Sequence, residues 1–90
     1  MKKNIKSGAA AALELPGEVI FNLPVITLTG RGGIDIENYQ SILEHSDTSV
    51  SVNTSAGIVS VCGEGLELKS VSAEYISVKG VICSVMFKEL

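Results

Sequence analysis

Residues 50–61 read VSVNTSAGIVSV, two alternating segments on either side of a short polar turn. Apolar and polar residues alternate in Val50–Val52 and again in Val59–Val61, which is typical of strands with one buried face. Between them, Thr54–Gly57 ends on a glycine, the residue that accepts the positive φ of a tight hairpin loop. The stretch therefore predicts two antiparallel strands joined by a short turn.

The same alternation recurs along most of the chain. It occupies residues 26–28, 34–36, 50–52, 59–61, 66–68, 76–78 and 83–85, with a less regular strand around residues 42–43. About eight short strands at near-regular spacing predict an all-β domain, a small antiparallel sandwich or barrel. A parallel β-solenoid is the alternative that this spacing also permits.

One set of apolar side chains is expected to form the core, because a one-residue slip of register would expose all of it. The set comprises Ile26, Leu28, Ile34, Ile36, Val50, Val52, Val59, Val61, Leu66, Leu68, Ile76 and Val78. Glycine-rich segments are expected to link the strands as turns, at residues 30–33, 63–65 and 79–80.

The first residues differ in composition from the rest. Residues 1–12 combine lysines with a run of alanines, which predicts a flexible segment or a short helix. Residues 13–90 are expected to form a single β domain. Because Glu14 and Pro16 interrupt the apolar run, it does not fit a secretory signal, and no run is long enough for a direct membrane span. A cytoplasmic protein is the expectation.

Charge and composition exclude several classes of function. Seven Lys and Arg against ten Asp and Glu give a formal net charge of −3, so nucleic-acid binding is not expected. Hydrophobic residues make up 46% of the chain, which favours a packed domain over a disordered one.

Residues that could carry chemistry are few and scattered. His45 has no evident nucleophile or orienting partner, so a solvated loop histidine is expected. Gly30–Gly33 precedes a predicted strand, whereas a phosphate-binding loop precedes a helix. Cys62 and Cys83 lack a metal-binding spacing, and we expect free thiols, with Cys83 in the core. No catalytic residue, cofactor or metal is predicted, and we expect no enzyme.

The last predicted strand, residues 81–87, is apolar on both faces. Ile82 and Met86 lie opposite the core face, which Val81, Cys83, Val85 and Phe87 are expected to share, so one apolar strip remains to be covered. We therefore predict an interaction surface at Ile82 and Met86, and self-association through this strand. The segment Met1–Leu15 is the other candidate to cover a sheet edge or to contact a partner.

The order of several segments resembles the YabP/YqfC family of sporulation proteins, and more closely its YqfC branch. The similar segments are Leu15–Val19, Asn22–Gly30, Ile36–Tyr39, Val50–Thr54 and Leu66–Leu68, followed by Glu74, Ile76, Gly80 and Phe87. The Asn22-Leu23-Pro24 and Glu37-Asn38-Tyr39 segments are the most specific parts. The sequence departs from the family where Ala73 precedes Glu74, because members tend to have two acidic residues there.

The resemblance implies a non-enzymatic sporulation protein of the mother cell, a structural or adaptor module in spore coat or cortex assembly. It implies a position at the forespore surface and a membrane-embedded sporulation protein as partner. The alternative is a small ligand-binding β-barrel that carries a lipid or a cell-wall precursor, which would need an interior cavity of about 300 Å³ or more.

Overall fold

Six antiparallel strands make up the computed structural model, which describes residues 22–89. The strands are β1 (Val25–Thr29), β2 (Gly33–Glu37), β3 (Tyr39–His45), β4 (Ser49–Thr54), β5 (Gly57–Val71) and β6 (Tyr75–Lys88). β1 begins directly after Pro24, which cannot donate a ladder hydrogen bond and therefore stands where a strand starts. The predicted turn at residues 30–33 joins β1 to β2, where the N–H of Gly32 donates to the carbonyl of Thr29 at 3.2 Å.

All six strands belong to one open sheet in the order β1-β2-β6-β5-β4-β3. The all-β antiparallel prediction is confirmed, whereas a parallel solenoid is not supported. The described strands form one open sheet, so the predicted two-sheet sandwich or closed barrel is wrong. The strand number differs because β5 and β6 are 15 and 14 residues long, and each contains two of the predicted short strands. The predicted N-terminal helix lies outside the described residues.

The two long strands divide the sheet into halves. In what we call the β3–β4 half, residues 57–62 of β5 lie between β4 and the end of β6. In the β1–β2 half, residues 75–79 of β6 lie between β2 and the end of β5. Buried side chains from both halves form a single cluster, so the sheet bends over a shared core.

The bends lie at glycines in the middle of β5 and β6. A Cβ atom on Gly63 would overlap the carbonyl oxygen of Val81, and one on Gly80, whose φ is +139°, would lie 2.6 Å from the carbonyl oxygen of Gly65. The expected turns at residues 63–65 and 79–80 are therefore wrong. At these glycines the backbones of β5 and β6 approach each other closely and bend, and neither strand reverses its direction.

Two hairpin turns hold these bends in place. The backbone hydrogen bonds from bend to turn are Leu66 N–H to Asp47 O at 2.8 Å, Gly63 N–H to Thr48 O at 3.0 Å, Gly80 N–H to Gly32 O at 3.2 Å and Ile82 N–H to Arg31 O at 2.8 Å. The β3–β4 turn thus caps the bend in β5, and the β1–β2 turn caps the bend in β6. Backbone groups that a bend would leave unpaired are satisfied in this way.

The predicted core is largely confirmed. Every residue of the set is buried except Ile26 and Leu68, which are partly buried, and Leu28, which is 52% exposed. All three lie in the β1–β2 half, on β1 and on the end of β5, which are the outer strands of that half. An outer strand has a neighbour on one side only, so its inward side chains are covered less completely.

The expectation that Cys83 lies in the core is wrong. The register changes between the pairs Cys62↔Ser84 and Gly63↔Ile82, so Cys83 is an extra residue in β6. Such a bulge shifts the alternation by one position. Ile82 therefore faces the core and is 5% exposed, whereas Cys83 is exposed.

Candidate functional site

The residues considered for catalysis lie apart from one another. His45 ends β3 with an exposed side chain on an outer strand, and the neighbouring Glu44 accepts a hydrogen bond from the Ser49 hydroxyl at 3.2 Å. Cys62 is half-buried and pairs across strands with Ser84. Among residues 22–89, no group of three or more His, Cys, Asp or Glu side chains is placed to hold a metal ion. The geometry therefore assembles no catalytic group from these side chains.

A cleft lies beside the connection between β2 and β3. It has a volume of about 340 Å³ and is lined by Asn22, Asn38, Tyr39, Gln40, Ala73 and Glu74. Its walls are held by the Asn38 N–H, which donates to the Glu74 carbonyl at 2.6 Å, and by the Tyr39 hydroxyl, which donates to the Ser72 carbonyl at 2.6 Å. This is a polar surface cleft rather than an apolar interior cavity.

The most distinctive surface is the outer side of the last part of β6, residues 83–88, here called the β6 edge. β2 pairs with β6 only as far as Lys79. Next, Arg31 binds both backbone groups of Ile82. The Arg31 carbonyl accepts a hydrogen bond from the Ile82 N–H, and the Arg31 Nε donates to the Ile82 carbonyl at 3.3 Å. Beyond Ile82, no strand in the described part of the chain pairs with this side of β6. The β6 edge therefore presents unpaired backbone donors and acceptors.

Side chains along the β6 edge are mostly apolar and exposed. Phe87 is 60% exposed and Met86 is 45% exposed, whereas Val85 packs partly against the core. Lys88 at its end is the only charged residue of the edge. From Ser84 to Lys88 the pairing with β5 has no register shift, so this segment is a regular strand.

The other outer strands carry features that discourage pairing with another chain. β3 has register shifts near Gln40 and Leu43, and it ends on Glu44 and His45. The end of β5 has a register shift at Lys69, whose Nζ lies 3.2 Å from Glu67 Oε1. β1 is five residues long and follows a proline. Bulges, charges, proline and short length all limit association through a sheet edge.

Of the two residues predicted for interaction, only Met86 is exposed. Ile82 belongs to the core cluster, so the premise that it leaves an apolar strip uncovered does not hold. A role of Met86 in association stays a prediction. Sequence reasoning missed Phe87, which it assigned to the core face. Phe87 does lie on that side of the sheet, opposite Val59, but at the end of the last strand it is left exposed.

The fold and the site together define a small all-β protein built from one bent antiparallel sheet, and its most distinctive surface is an edge that no described strand pairs with. The chain belongs to the YabP family, whose model matches residues 22–90. It is also similar to the uncharacterized protein YqfC of Bacillus subtilis (strain 168), with 33% identity over 88 residues that cover 98% of this chain and 95% of that protein. The predicted family resemblance is confirmed.

Membership of this family suggests a role related to sporulation. Within residues 22–89, no helix has the length and apolar character that a membrane crossing requires.

Proposed function

We propose that this protein is a non-enzymatic sporulation protein that acts in the mother cell as a structural or adaptor module of spore coat or cortex assembly. The family supports the sporulation role. The observation that supports the structural or adaptor role is the β6 edge, a regular and mostly apolar strand without a described neighbour on its outer side. An edge of this kind binds other chains by adding a strand to the sheet.

The partner that we propose is a second protein, either another copy of this chain or a membrane-embedded sporulation protein at the forespore surface. In the second case the protein lies at the membrane through its partner and not through a span of its own. Backbone hydrogen bonds supply affinity in such contacts, and the side chains at Val85, Met86 and Phe87 supply selectivity.

The alternative function, carriage of a lipid or a cell-wall precursor, draws less support from the structure. A carrier of an apolar molecule encloses it in a mainly apolar cavity. The cleft beside Tyr39 opens on the surface, and Asn22, Asn38, Gln40 and Glu74 contribute to its walls. Adaptor function therefore fits the described surface better.

The experiment replaces the chromosomal copy by Phe87→Lys in the endospore-forming host. The control is Leu43→Lys, which adds the same charge to an outer strand at a residue 52% exposed, next to an existing register shift. We expect Phe87→Lys to lower the yield of resistant spores and to thin the coat or cortex in electron micrographs, whereas Leu43→Lys leaves both unchanged. Normal spores from folded Phe87→Lys protein at wild-type abundance would contradict the proposal.

A further inference from the structure

We propose that the β6 edge binds the same edge of a second copy of this chain, related by a two-fold axis that passes through Met86 perpendicular to the sheet. This inference rests on the proposed function, because it assigns an occupant to the same edge. The two β3–β4 halves then form one continuous eight-stranded sheet, with β6 beside β6 at its centre. Identical edges that pair in this way give a closed dimer.

The apolar side chains of the edge are self-complementary under this symmetry. In an antiparallel pair, residues directly opposite each other share one face of the sheet. With Met86 on the axis, Val85 lies opposite Phe87 of the second copy, and Phe87 opposite Val85 of the second copy. Met86 lies opposite Met86. The two most exposed apolar side chains of the edge, Met86 and Phe87, thus gain apolar neighbours.

Charges at the two ends of the edge also match. Arg31 is exposed and its side chain lies at the start of the edge, where Nε bonds the Ile82 carbonyl. Glu89 is exposed and follows the edge at its other end. Antiparallel pairing about Met86 places Glu89 opposite Cys83 of the second copy, within reach of the Arg31 guanidinium of that copy. The same contact occurs twice, and Lys88 faces Ser84 rather than another lysine.

The limits of the free segment select this register. Arg31 binds both backbone groups of Ile82, so pairing with another chain begins after that residue. Met86 is the midpoint of residues 83–89, which are the β6 edge and the following Glu89, so a two-fold axis there brings all seven residues into the pair. An axis at Val85 would place Lys88 opposite Ile82, next to Arg31, and would bring two positive charges together. An axis at Phe87 would leave Cys83 and Ser84 outside the pair.

A charge-exchange experiment tests the symmetry directly. A residue on the axis meets itself only in a dimer of identical chains, so Met86→Lys and Met86→Glu should each place like charges opposite each other. We expect sedimentation velocity to show a dimer for the wild type and an increase of at least about tenfold in the dissociation constant for each variant. An equimolar mixture of the two variants should restore the dimer. A wild-type monomer at every concentration, or a mixture that stays monomeric, would overturn the inference.

A cross-linking experiment tests the register. Met86→Cys in a Cys62→Ser, Cys83→Ser background places a thiol opposite its own copy, and directly opposed residues of antiparallel strands lie within the Cα separation that a disulfide spans. We expect mild oxidation to give a covalent dimer. Leu43→Cys in the same background is the control, and equal rates of cross-linking for the two variants would contradict the register.

The two proposals can fail separately. If the wild type is monomeric but Phe87→Lys still impairs spores, the edge binds another protein and only the dimer is wrong. If the dimer forms but Phe87→Lys, now monomeric, gives normal spores, the dimer stands and the proposed function of the edge is wrong.

Discussion

The outer faces of the two halves of the sheet are built from different residues, although both halves cover one core. In the β1–β2 half this face carries one buried serine, Ser77, surrounded by charged side chains at Asp35, Glu37, Glu67 and Lys79. In the β3–β4 half its centre is a row across three strands, Ser51, Ser60 and Met86. The exposed fractions of Ser51 and Ser60 are 7% and 2%, and their hydroxyls are hydrogen-bonded at 3.2 Å.

This difference shows that a polar residue in an alternating strand is not necessarily a solvated one. Ser60 lies on the side of β5 away from Val59 and Val61, and it is nevertheless as well buried as many core residues. Nearby, Asn53 Oδ1 is buried and has no hydrogen-bond partner among residues 22–89. The centre of this outer face thus accommodates small hydroxyls but leaves little room for charge, and the charged residues Glu44 and Lys88 lie at its margins. Four comparisons of variants test the difference between the halves and the contacts that join them.

The largest effect is expected from Ser60→Asp. A carboxylate at this position would be buried without a cation, which destabilises proteins by about 3–5 kcal/mol. The matched control is Ser70→Asp, an exposed position on the outer face of the β1–β2 half, where we expect a change within about 0.5 kcal/mol. Urea unfolding of both variants measures the difference. Equal free energies of unfolding would show that the two faces do not differ.

Gly63→Ala should follow, because the added methyl group overlaps the carbonyl oxygen of Val81 at the bend that joins the halves. Overpacking of this kind costs about 1–3 kcal/mol. Gly32→Ala is the control, since a Cβ atom there meets nothing within 4 Å. Thermal unfolding followed by circular dichroism distinguishes the two variants. A Gly63→Ala melting temperature equal to that of Gly32→Ala would contradict the close approach of Gly63 to the Val81 carbonyl.

Tyr39→Phe tests a contact between the halves. The Tyr39 hydroxyl, at the start of β3, donates to the carbonyl of Ser72 beside the β5–β6 turn of the other half. Its loss should lower the free energy of unfolding by about 1 kcal/mol. Tyr75→Phe, at a half-buried tyrosine whose hydroxyl has no described hydrogen bond, should change stability by less than about 0.5 kcal/mol. Parallel chemical denaturation compares the two variants. An equal decrease in the free energy of unfolding would show that the hydrogen bond from Tyr39 to Ser72 does not stabilise the domain.

The smallest effect is expected for Cys83→Ser. The alternation of the sequence places Cys83 in the core and predicts a larger loss there than at Cys62, whereas the structure predicts the reverse. Cys83→Ser changes an exposed bulge residue and should alter stability by less than about 0.5 kcal/mol. Cys62→Ser introduces a hydroxyl at a half-buried position and should cost about 1 kcal/mol. Guanidinium unfolding of the two variants measures their free energies of unfolding. A larger decrease for Cys83→Ser than for Cys62→Ser would contradict the exposed position of Cys83.

Much of the fold could be predicted because alternation and turn residues are local signals. The hairpin of β4 and β5, the turn at residues 30–33 and the buried valines of residues 50–61 all follow from them. The bends could not be predicted, because a glycine suits a hairpin turn and a bulge equally well, and only the neighbouring strand distinguishes the two. One undetected bulge then reversed the assignments of Ile82 and Cys83.

The candidate site could be predicted only in part. The apolar last strand led to the prediction of association, which stays a prediction, and Met86 is exposed as expected. The role of Arg31 as the boundary of the β6 edge depends on a contact between residues 51 positions apart, which no local pattern reveals.

The capped bends have a consequence for how the domain opens. Because β5 and β6 each run through both halves, neither half can detach without disrupting two strands that belong to the other half as well. We therefore expect the domain to unfold as one cooperative unit rather than by sub-global opening. The amide protons of Gly63, Leu66, Gly80 and Ile82, held by the two hairpin turns, should then be among the slowest to exchange with deuterated solvent, at the free energy of global unfolding.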